Sequence, residues 1–307
     1  MAIEHKNTLI DGVNIHYVQA GQHNAHQKPT VFFLHGFPEY WETWSAQLKH
    51  FSKQYRVIAP DLPGYNLSDK PNELSFFSVP NLVKFFANFI QAVAPNEEVY
   101  LVAHDWGGAI AWPLTAFFPH IIQKLVILNA AHPSAFTREM INNPEQRKKS
   151  EYIHELIAEN AIEKLLANEC DYLFNKMMST MQVNVLTEQK KQDYLQVWRQ
   201  SGSINGMLQY YRAMPQIAPS LRYSNKSDSK AGPVKDTGDM VIPNIRIDVP
   251  TLILWGEQDQ AFVRENLLGL EEYVKDCTIK RFPQASHWLQ HEYPEQVNEN
   301  VSVFFER

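Results

Sequence analysis

Three side chains, far apart in the sequence, have the types needed to break a carbon–heteroatom bond with water. Asp105 lies in the stretch Val99–Gly108, Val-Tyr-Leu-Val-Ala-His-Asp-Trp-Gly-Gly. Asp259 ends Gly256-Glu257-Gln258-Asp259, and His287 is the fourth residue of Gln284-Ala285-Ser286-His287-Trp288. A carboxylate is ionised at neutral pH and needs no base before it attacks an electrophilic carbon. Attack by Asp105 on a saturated carbon would leave an alkyl ester on the protein. His287, oriented by Asp259, would then deprotonate a water that attacks the ester carbonyl. The turn His35-Gly36-Phe37-Pro38 offers the backbone N–H of Phe37, which with that of Trp106 would form an oxyanion hole for this second step. Pro38 is a site for a cis peptide. A serine in place of Asp105 would suit esters and amides, in which the substrate brings the carbonyl.

Each of these groups needs an element to hold it. Val99–Ala103 is a continuous apolar run, as expected of a strand buried on both faces, and Ala109–Phe118 reads as a buried helix ended by Pro119. A strand, a sharp turn of small residues and a helix make an elbow that holds one side chain, here Asp105, above the sheet with helix N–H groups behind it. Thr8–Ile10 and Val13–Tyr17 read as a hairpin through Asp11-Gly12, and Thr30–Leu34, Tyr55–Ala59, Lys124–Leu128, Thr251–Trp255 and Cys277–Phe282 as further strands. Helical patterns at Trp41–Lys49, Val79–Ala94, Glu265–Val274 and Pro294–Phe305 alternate with them. This predicts an α/β fold with a mostly parallel central sheet, helices on both faces, and Asp105, Asp259 and His287 on one sheet edge. From Ser134 to Arg222 the pattern changes to long helical stretches (Glu151–Asn168, Glu188–Gln200, Ile204–Met214) without a buried strand. The predicted division is therefore a first core part (1–133), an inserted helical cap (134–222) and a second core part (223–307), with a polar connecting segment at 224–243.

Composition narrows the class. The 307 residues carry a formal net charge of −6 and are 44% hydrophobic and 20% charged, which gives no electrostatic reason to expect nucleic acid or anionic membrane as a partner. Cys170 and Cys277 are read as free thiols of a reducing compartment. No basic-then-apolar leader opens the chain, and no apolar stretch approaches the roughly 20 residues of a membrane span, so a cytoplasmic protein is expected. His35, His104, His132 and His287 lack ligand spacing, so no metal or other cofactor is implied. Oligomeric state leaves no trace in the sequence.

Taken together, His35-Gly36-Phe37-Pro38-Glu39, His104-Asp105-Trp106-Gly107-Gly108 and Ser286-His287-Trp288 resemble the epoxide hydrolases of the α/β-hydrolase fold, over nearly the whole chain. The resemblance implies hydrolysis of a small-molecule epoxide to a vicinal diol. In such a fold the acid lies a few residues beyond its strand, which favours Asp259 over Glu257; Asn129 stands at an alternative acid position but cannot carry the charge. The family's ring-opening tyrosine falls on Tyr211, within Gly206–Met214, while its neighbour Tyr210 faces elsewhere on a helix. A second donor falls within Ser150-Glu151-Tyr152-Ile153-His154, with Tyr152 favoured and His154 the alternative. His104 is read as scaffold. The pocket is expected between core and cap, lined by Phe37, Trp106, Met177, Met178, Met181 and Met214, with His35, Pro38 and Trp198 as further pocket residues.

Haloalkane and haloacetate dehalogenases share the aspartate nucleophile and form the alternative. Three positions depart from them: Phe37 brings no side-chain donor, and Trp106 and Asn129 stand where haloacetate dehalogenases carry an arginine and an acid. The indole N–H groups of Trp106 and Trp198 would be the halide donors in that reading. A non-catalytic ligand-binding protein of the same fold is a third, minor reading.

Overall fold

A computed structural model describes residues 2–21, 28–182, 185–214 and 240–307. The strands β1 (Glu4–Ile10), β2 (Val13–Ala20), β3 (Thr30–Leu34), β4 (Arg56–Pro60), β5 (Val99–His104), β6 (Ile122–Leu128), β7 (Thr251–Gly256) and β8 (Cys277–Phe282) form one sheet in the order β1-β2-β4-β3-β5-β6-β7-β8. β2 pairs antiparallel with β1 and β4, and every pairing from β4 to β8 is parallel. β1 begins at Glu4, four residues earlier than its sequence pattern suggests. Its first residues are exposed, so no apolar alternation marks them, and the ladder from Glu4↔Gln19 to Ile10↔Val13 defines the strand instead.

The parallel strands β3 to β7 are mostly apolar on both faces because both faces are covered, while β8, at the sheet edge, is partly exposed. Phe32, Leu34, Leu101, Ala103, Leu125, Ile127, Ile253 and Trp255 point to the side packed by α2 (Val79–Val93) and α3 (Trp106–Phe117). Their neighbours Val31, Phe33, Val102, Val126, Leu128, Leu252 and Leu254 point to the opposite side. There α1 (Ser45–Phe51) and the closing helix Pro294–Phe305 contribute Leu48, Phe51, Val297, Val301, Phe304 and Phe305. Each such buried side chain contributes about 1.5–3 kcal/mol of transfer free energy. This double covering makes the sheet a stiff platform for the loops at its carboxyl edge.

Between β6 and β7 the regular elements of the described residues are mainly helices: α4 (Pro133–Asn142), α5 (Pro144–Lys149), α6 (Tyr152–Leu156), α7 (Ala161–Tyr172), α8 (Glu188–Trp198) and α9 (Ser203–Arg212). The predicted helix Glu151–Asn168 is two pieces, because the chain leaves helical geometry between Leu156 and Ala161 and again at Ala167–Cys170. α4 and α5 carry too few apolar residues for a periodic signal. Both open with Pro at the first helical position behind a side-chain cap, from His132 to the Ser134 N–H and from Asn143 to the Glu145 N–H. The expected helix Glu265–Val274 is instead two short 3₁₀ turns, Arg264–Leu267 and Leu270–Glu272, interrupted by Gly269 at φ +69°. Most of the predicted polar segment 224–243 lies outside the described residues, as does the predicted end of the cap. No helix of the described residues is long and apolar enough to cross a membrane.

Candidate active site

Asp105 occupies the turn between β5 and α3 at φ 51°, ψ −120°, a conformation that L-residues rarely adopt. The turn is tight because α3 starts directly beneath it. A Cβ on Gly107 would lie 2.3 Å from the carbonyl oxygen of Leu34, so only glycine lets the helix approach β3 this closely. The loop after β3 packs equally close to the carboxylate: a Cβ on Gly36 would lie 2.2 Å from Asp105 Oδ1. In that loop the Phe37–Pro38 peptide is cis, and the Phe37 N–H donates to Asp105 Oδ1 at 2.7 Å. The Trp106 N–H, at the first position of α3, belongs to the four N–H groups that a helix leaves without an intrahelical partner.

His287 stands on the other side of the carboxylate, its Nε2 3.7 Å from Asp105 Oδ2, beyond direct hydrogen-bond length. Its Nδ1 lies 2.9 Å from Asp259 Oδ2. Asp259 is itself fixed at both oxygens. Oδ2 also accepts from Asn129 Nδ2 at 2.7 Å, and Oδ1 accepts from the N–H groups of Ala261 and Phe262 at 2.6 and 3.0 Å. Burial opposes the charge of Asp259, but His287 and then Asn129 outweigh it and hold the carboxyl below its usual range. Burial likewise works to lower the pKa of His287. Asp259 outweighs it, with smaller contributions from Asp105 and Glu39, and raises the imidazole to about 9. With Asp105 ionised, the ring is therefore an imidazolium at neutral pH. Glu257, the other carboxylate of this loop, pairs with Arg281 at 3.0 Å and faces away.

Two tyrosines from the helical insertion face the same carboxylate. The Tyr211 ring stands edge-on to Phe37 and to Trp106 (5.2 Å each) and 6.3 Å from Tyr152. Burial, then nearby Asp105 charge, pushes the Tyr152 phenol upward; burial, Tyr152 and Asp105 do the same for Tyr211, so both remain neutral donors. Tyr210, one residue away, donates to the carbonyl of Pro63 at 2.8 Å and is a packing residue. His154 is exposed on the far side of α6.

Asp105, Tyr152, Tyr211 and Ala261 lie at the junction of two cavities. One, of about 580 Å³, is apolar and lined by residues such as Val83, Pro113, Phe136, Met214 and Phe262. The other, of about 530 Å³, holds Phe37, Met177, His287 and Trp288, with Lys148, Lys149, Lys176 and Glu155 towards its mouth. Both fall within the size range of small-molecule sites.

Several residues expected in the pocket are elsewhere. Trp198 is fully buried and donates its indole N–H to the carbonyl of Pro38 at 2.6 Å, which removes it from the lining of both cavities and spends its N–H. Pro38 is the acceptor of that bond and lines neither cavity. His35 is also fully buried: its Nε2 accepts from the Leu62 N–H at 3.0 Å and its Nδ1 faces the Gly36 carbonyl at 2.9 Å. Met178 and Met181 are buried beyond α7, away from Asp105. In each case apolar character marks a core position and a cavity wall alike, so the pattern alone does not separate them.

The structure gives Asn129, weighed in the sequence only as an alternative acid position, a supporting part, and adds a buried cluster behind His287. Asn129, at φ 37°, reaches across β7: its Oδ1 accepts from the Gly256 N–H at 2.9 Å while its amide holds Asp259. Behind His287 lies a buried polar cluster. Glu39 accepts from Thr43 Oγ1, Tyr194 Oη and Gln290 Nε2 at 2.9, 3.0 and 3.1 Å and meets His291 Nε2 at 2.5 Å. Burial opposes its charge, but His291 and His104 hold its carboxyl well below the usual range. His104 Nε2 donates to the carbonyl of His287 at 2.9 Å, the scaffold role read from the sequence. Glu39 directly follows His-Gly-Phe-Pro, the only signal that could have marked it.

Residues 29–294 match the family model of the alpha/beta hydrolase fold. Epoxide hydrolase 1 of Caenorhabditis elegans is 32% identical over 296 residues, 96% of this chain and 68% of the relative. The AB hydrolase superfamily protein YfhM of Bacillus subtilis is 30% identical over 293 residues, 95% and 94% of the two chains. The crystal structure of the Bacillus megaterium epoxide hydrolase in complex with an inhibitor superposes with a TM-score of 0.83 at 31% identity, covering 98% of this chain and all of the other. An aspartate at the elbow, the order of the three strand-end residues and these relatives lead to one assignment: the chain belongs to the epoxide hydrolases of the α/β-hydrolase fold.

Proposed function

We propose that this hydrolase opens its epoxide by covalent catalysis on Asp105, beneath a cap formed by the helices between β6 and β7. An epoxide bound in the apolar chamber presents a ring carbon to Asp105 Oδ2. The carboxylate forms a C–O bond to that carbon as the ring C–O bond breaks. Tyr211 and Tyr152 hold the departing oxygen, one transferring its proton while the other shares the remaining negative charge. The product of this step is a hydroxyalkyl ester on Asp105.

Esterification removes the charge that faced His287, so the imidazole loses one of the two nearest carboxylates that favour its protonated form. With only Asp259 beside it, His287 can return its proton through solvent to the tyrosinate left by ring opening, which restores the phenol, and can then accept one from water at Nε2. That water attacks the Asp105 carbonyl carbon, and the oxyanion forms at the oxygen already held by Phe37 N–H, with Trp106 N–H as the second donor. Collapse breaks the acyl C–O bond, the leaving oxygen takes the proton of the hydroxyl that water added, and the diol departs with the Asp105 carboxylate restored and His287 again an imidazolium.

The observation that carries this reading is the different treatment of the two oxygens of Asp105. Oδ1 is fixed by Phe37 N–H at 2.7 Å, whereas Oδ2 is left 3.7 Å from His287, facing the junction of the chambers. Dehalogenation would use the same nucleophile, but the indole of Trp198 is committed to Pro38. The test is His287→Gln incubated with a styrene-type epoxide and examined by intact mass. An adduct equal to the epoxide mass, mapped to Asp105, is expected; normal turnover, or no adduct under conditions where the parent produces diol, would refute the two-step scheme.

A further inference from the structure

We infer that Gln146 is a positioning residue that locks the hydrolytic pair Asp259–His287 and the ring-opening donor Tyr152 into one rigid unit. The inference rests on the covalent mechanism proposed above and concerns a helix, α5, that touches neither reacting atom.

The loop carrying Asp259 is long and irregular, so little of its own backbone pairing fixes it. Its start is pinned by the N–H groups of Glu257 and Gln258 to the carbonyls of Phe282 and Ala285, and much of the rest is held from α5. Gln146, fully buried, donates from Nε2 to the carbonyl of Ala261 at 2.8 Å and accepts at Oε1 from the Val263 N–H at 3.1 Å and from Asn266 Nδ2 at 2.8 Å. Three residues on, Lys149 donates from Nζ to the carbonyl of Asp259 itself. Thus one six-residue helix holds the loop at residues 259, 261, 263 and 266. The N–H of that same peptide, which is Phe262 N–H, donates to Asp259 Oδ1 at 3.0 Å, so the peptide that Gln146 grips from the carbonyl side orients the carboxylate.

The same amide reaches the other half of the chemistry. Gln146 Nε2 also donates to Ser150 Oγ at 3.1 Å, and the Ser150 carbonyl accepts from the Ile153 N–H in the turn that begins α6 at Tyr152. Loosening Gln146 therefore frees the Asp259 loop and the Tyr152 turn together. A planar amide with one donor side and one acceptor side suits this place; an apolar side chain of similar volume would strand a buried carbonyl and a backbone N–H, and leave the Asn266 amide only its bond to the Val263 carbonyl at 2.9 Å.

This role has a kinetic signature. Loss of a ring-opening tyrosine slows only ester formation, and loss of Asp259 slows chiefly ester hydrolysis. Loss of the Gln146 clamp slows both. The experiment is rapid-quench mass spectrometry of the Asp105 ester on the full-length parent, Gln146→Leu, Gln146→Glu and Lys149→Met, with a styrene-type epoxide. Gln146→Glu retains an acceptor for Val263 and Asn266 but loses the donor to Ala261; Lys149→Met keeps the stem and loses only the bond to Asp259.

Gln146→Glu is expected to slow both steps at least tenfold with KM changed less than threefold, and to displace the pH profile of ester hydrolysis. Lys149→Met should slow hydrolysis alone. If Gln146→Leu fails to fold, these two milder variants still decide. Both rate constants within twofold of the parent, in Gln146→Glu with parental melting, would overturn the inference. A parent that turns over without any Asp105 ester would instead overturn the mechanism on which it rests.

Discussion

Replacing Asp259 by Asn changes one atom yet should separate the two chemical steps. Raising an imidazole from 6.5 to about 9 corresponds to roughly 3 kcal/mol of preferential stabilisation of the charged ring. Asp259 is the largest favourable contributor, and after esterification it is the carboxylate that remains at hydrogen-bond distance. An amide offers no charge, and neither orientation fits. With its NH₂ towards His287, it faces Asn129 Nδ2 donor against donor and forces the His287 proton onto Nε2, where it must instead accept one from water. With its NH₂ turned away, it faces the N–H groups of Ala261 and Phe262. Each mismatch leaves buried donors unpaired at about 1–3 kcal/mol. Loss of imidazolium stabilisation together with the wrong tautomer is expected to slow ester hydrolysis by roughly 10³–10⁴-fold, the size of effect seen when an acid that orients a catalytic histidine becomes an amide. Ester formation, which uses Asp105 and the tyrosines, should change by less than about tenfold. Rapid-quench mass spectrometry reads both rate constants in one experiment: the ester should rise at near-parental rate and persist. An Asp259→Asn enzyme that hydrolysed its ester within tenfold of the parent would show that His287 is not activated through Asp259.

Two further predictions follow from the same geometry. Tyr211→Phe and Tyr152→Phe should each slow ester formation by about 10²-fold, the scale of losing one acid or oxyanion donor, with His154→Ala near parental; equal rates in all three would return the tyrosines to packing roles. Stability should also depend on alkaline pH through His287. Its folded pKa, about 9, lies above the unfolded value of 6.5, so the stabilisation is full below pH 6.5 and is lost as pH rises from there through 9. At most about 3 kcal/mol is involved. Urea unfolding at pH 6 and pH 9.5 should show a decline in the parent that is reduced in His287→Gln, and identical slopes would refute the assignment.

The central strands were readable in the sequence because they are buried on both faces and leave continuous apolar runs, and Asp105 and Asp259 each follow such a run, whereas β8 before His287 is only partly buried. What escaped was set by contacts rather than by pattern. α5 reads Pro-Glu-Gln-Arg-Lys-Lys, an apparently solvated stretch, yet Gln146 within it is fully buried because the loop after β7 supplies its partners. The choice between Tyr152 and His154 depends on the rotational phase of a five-residue helix, fixed by Ile153 and Leu156 packing inward. Trp198 carries a donor N–H in an apolar helix face, and only the fold shows that Pro38 consumes it. Gly269 was visible as a glycine, but its left-handed φ, which splits the expected helix, is a property of the turn.

The backbone of Asp105 has one more consequence. Its φ of 51° and ψ of −120° are imposed by β5, by Gly107 beneath and by the loop at Gly36, and hold whatever side chain occupies the position. For an L-residue such a conformation costs on the order of 1–3 kcal/mol, whereas glycine adopts it freely. Asp105→Gly should therefore unfold at a higher temperature than Asp105→Ala, although both are chemically dead. The elbow is a socket. Its strain belongs to the scaffold, and its chemistry belongs to whichever side chain is plugged into it, so the same scaffold can exchange one nucleophile for another without being refolded around it.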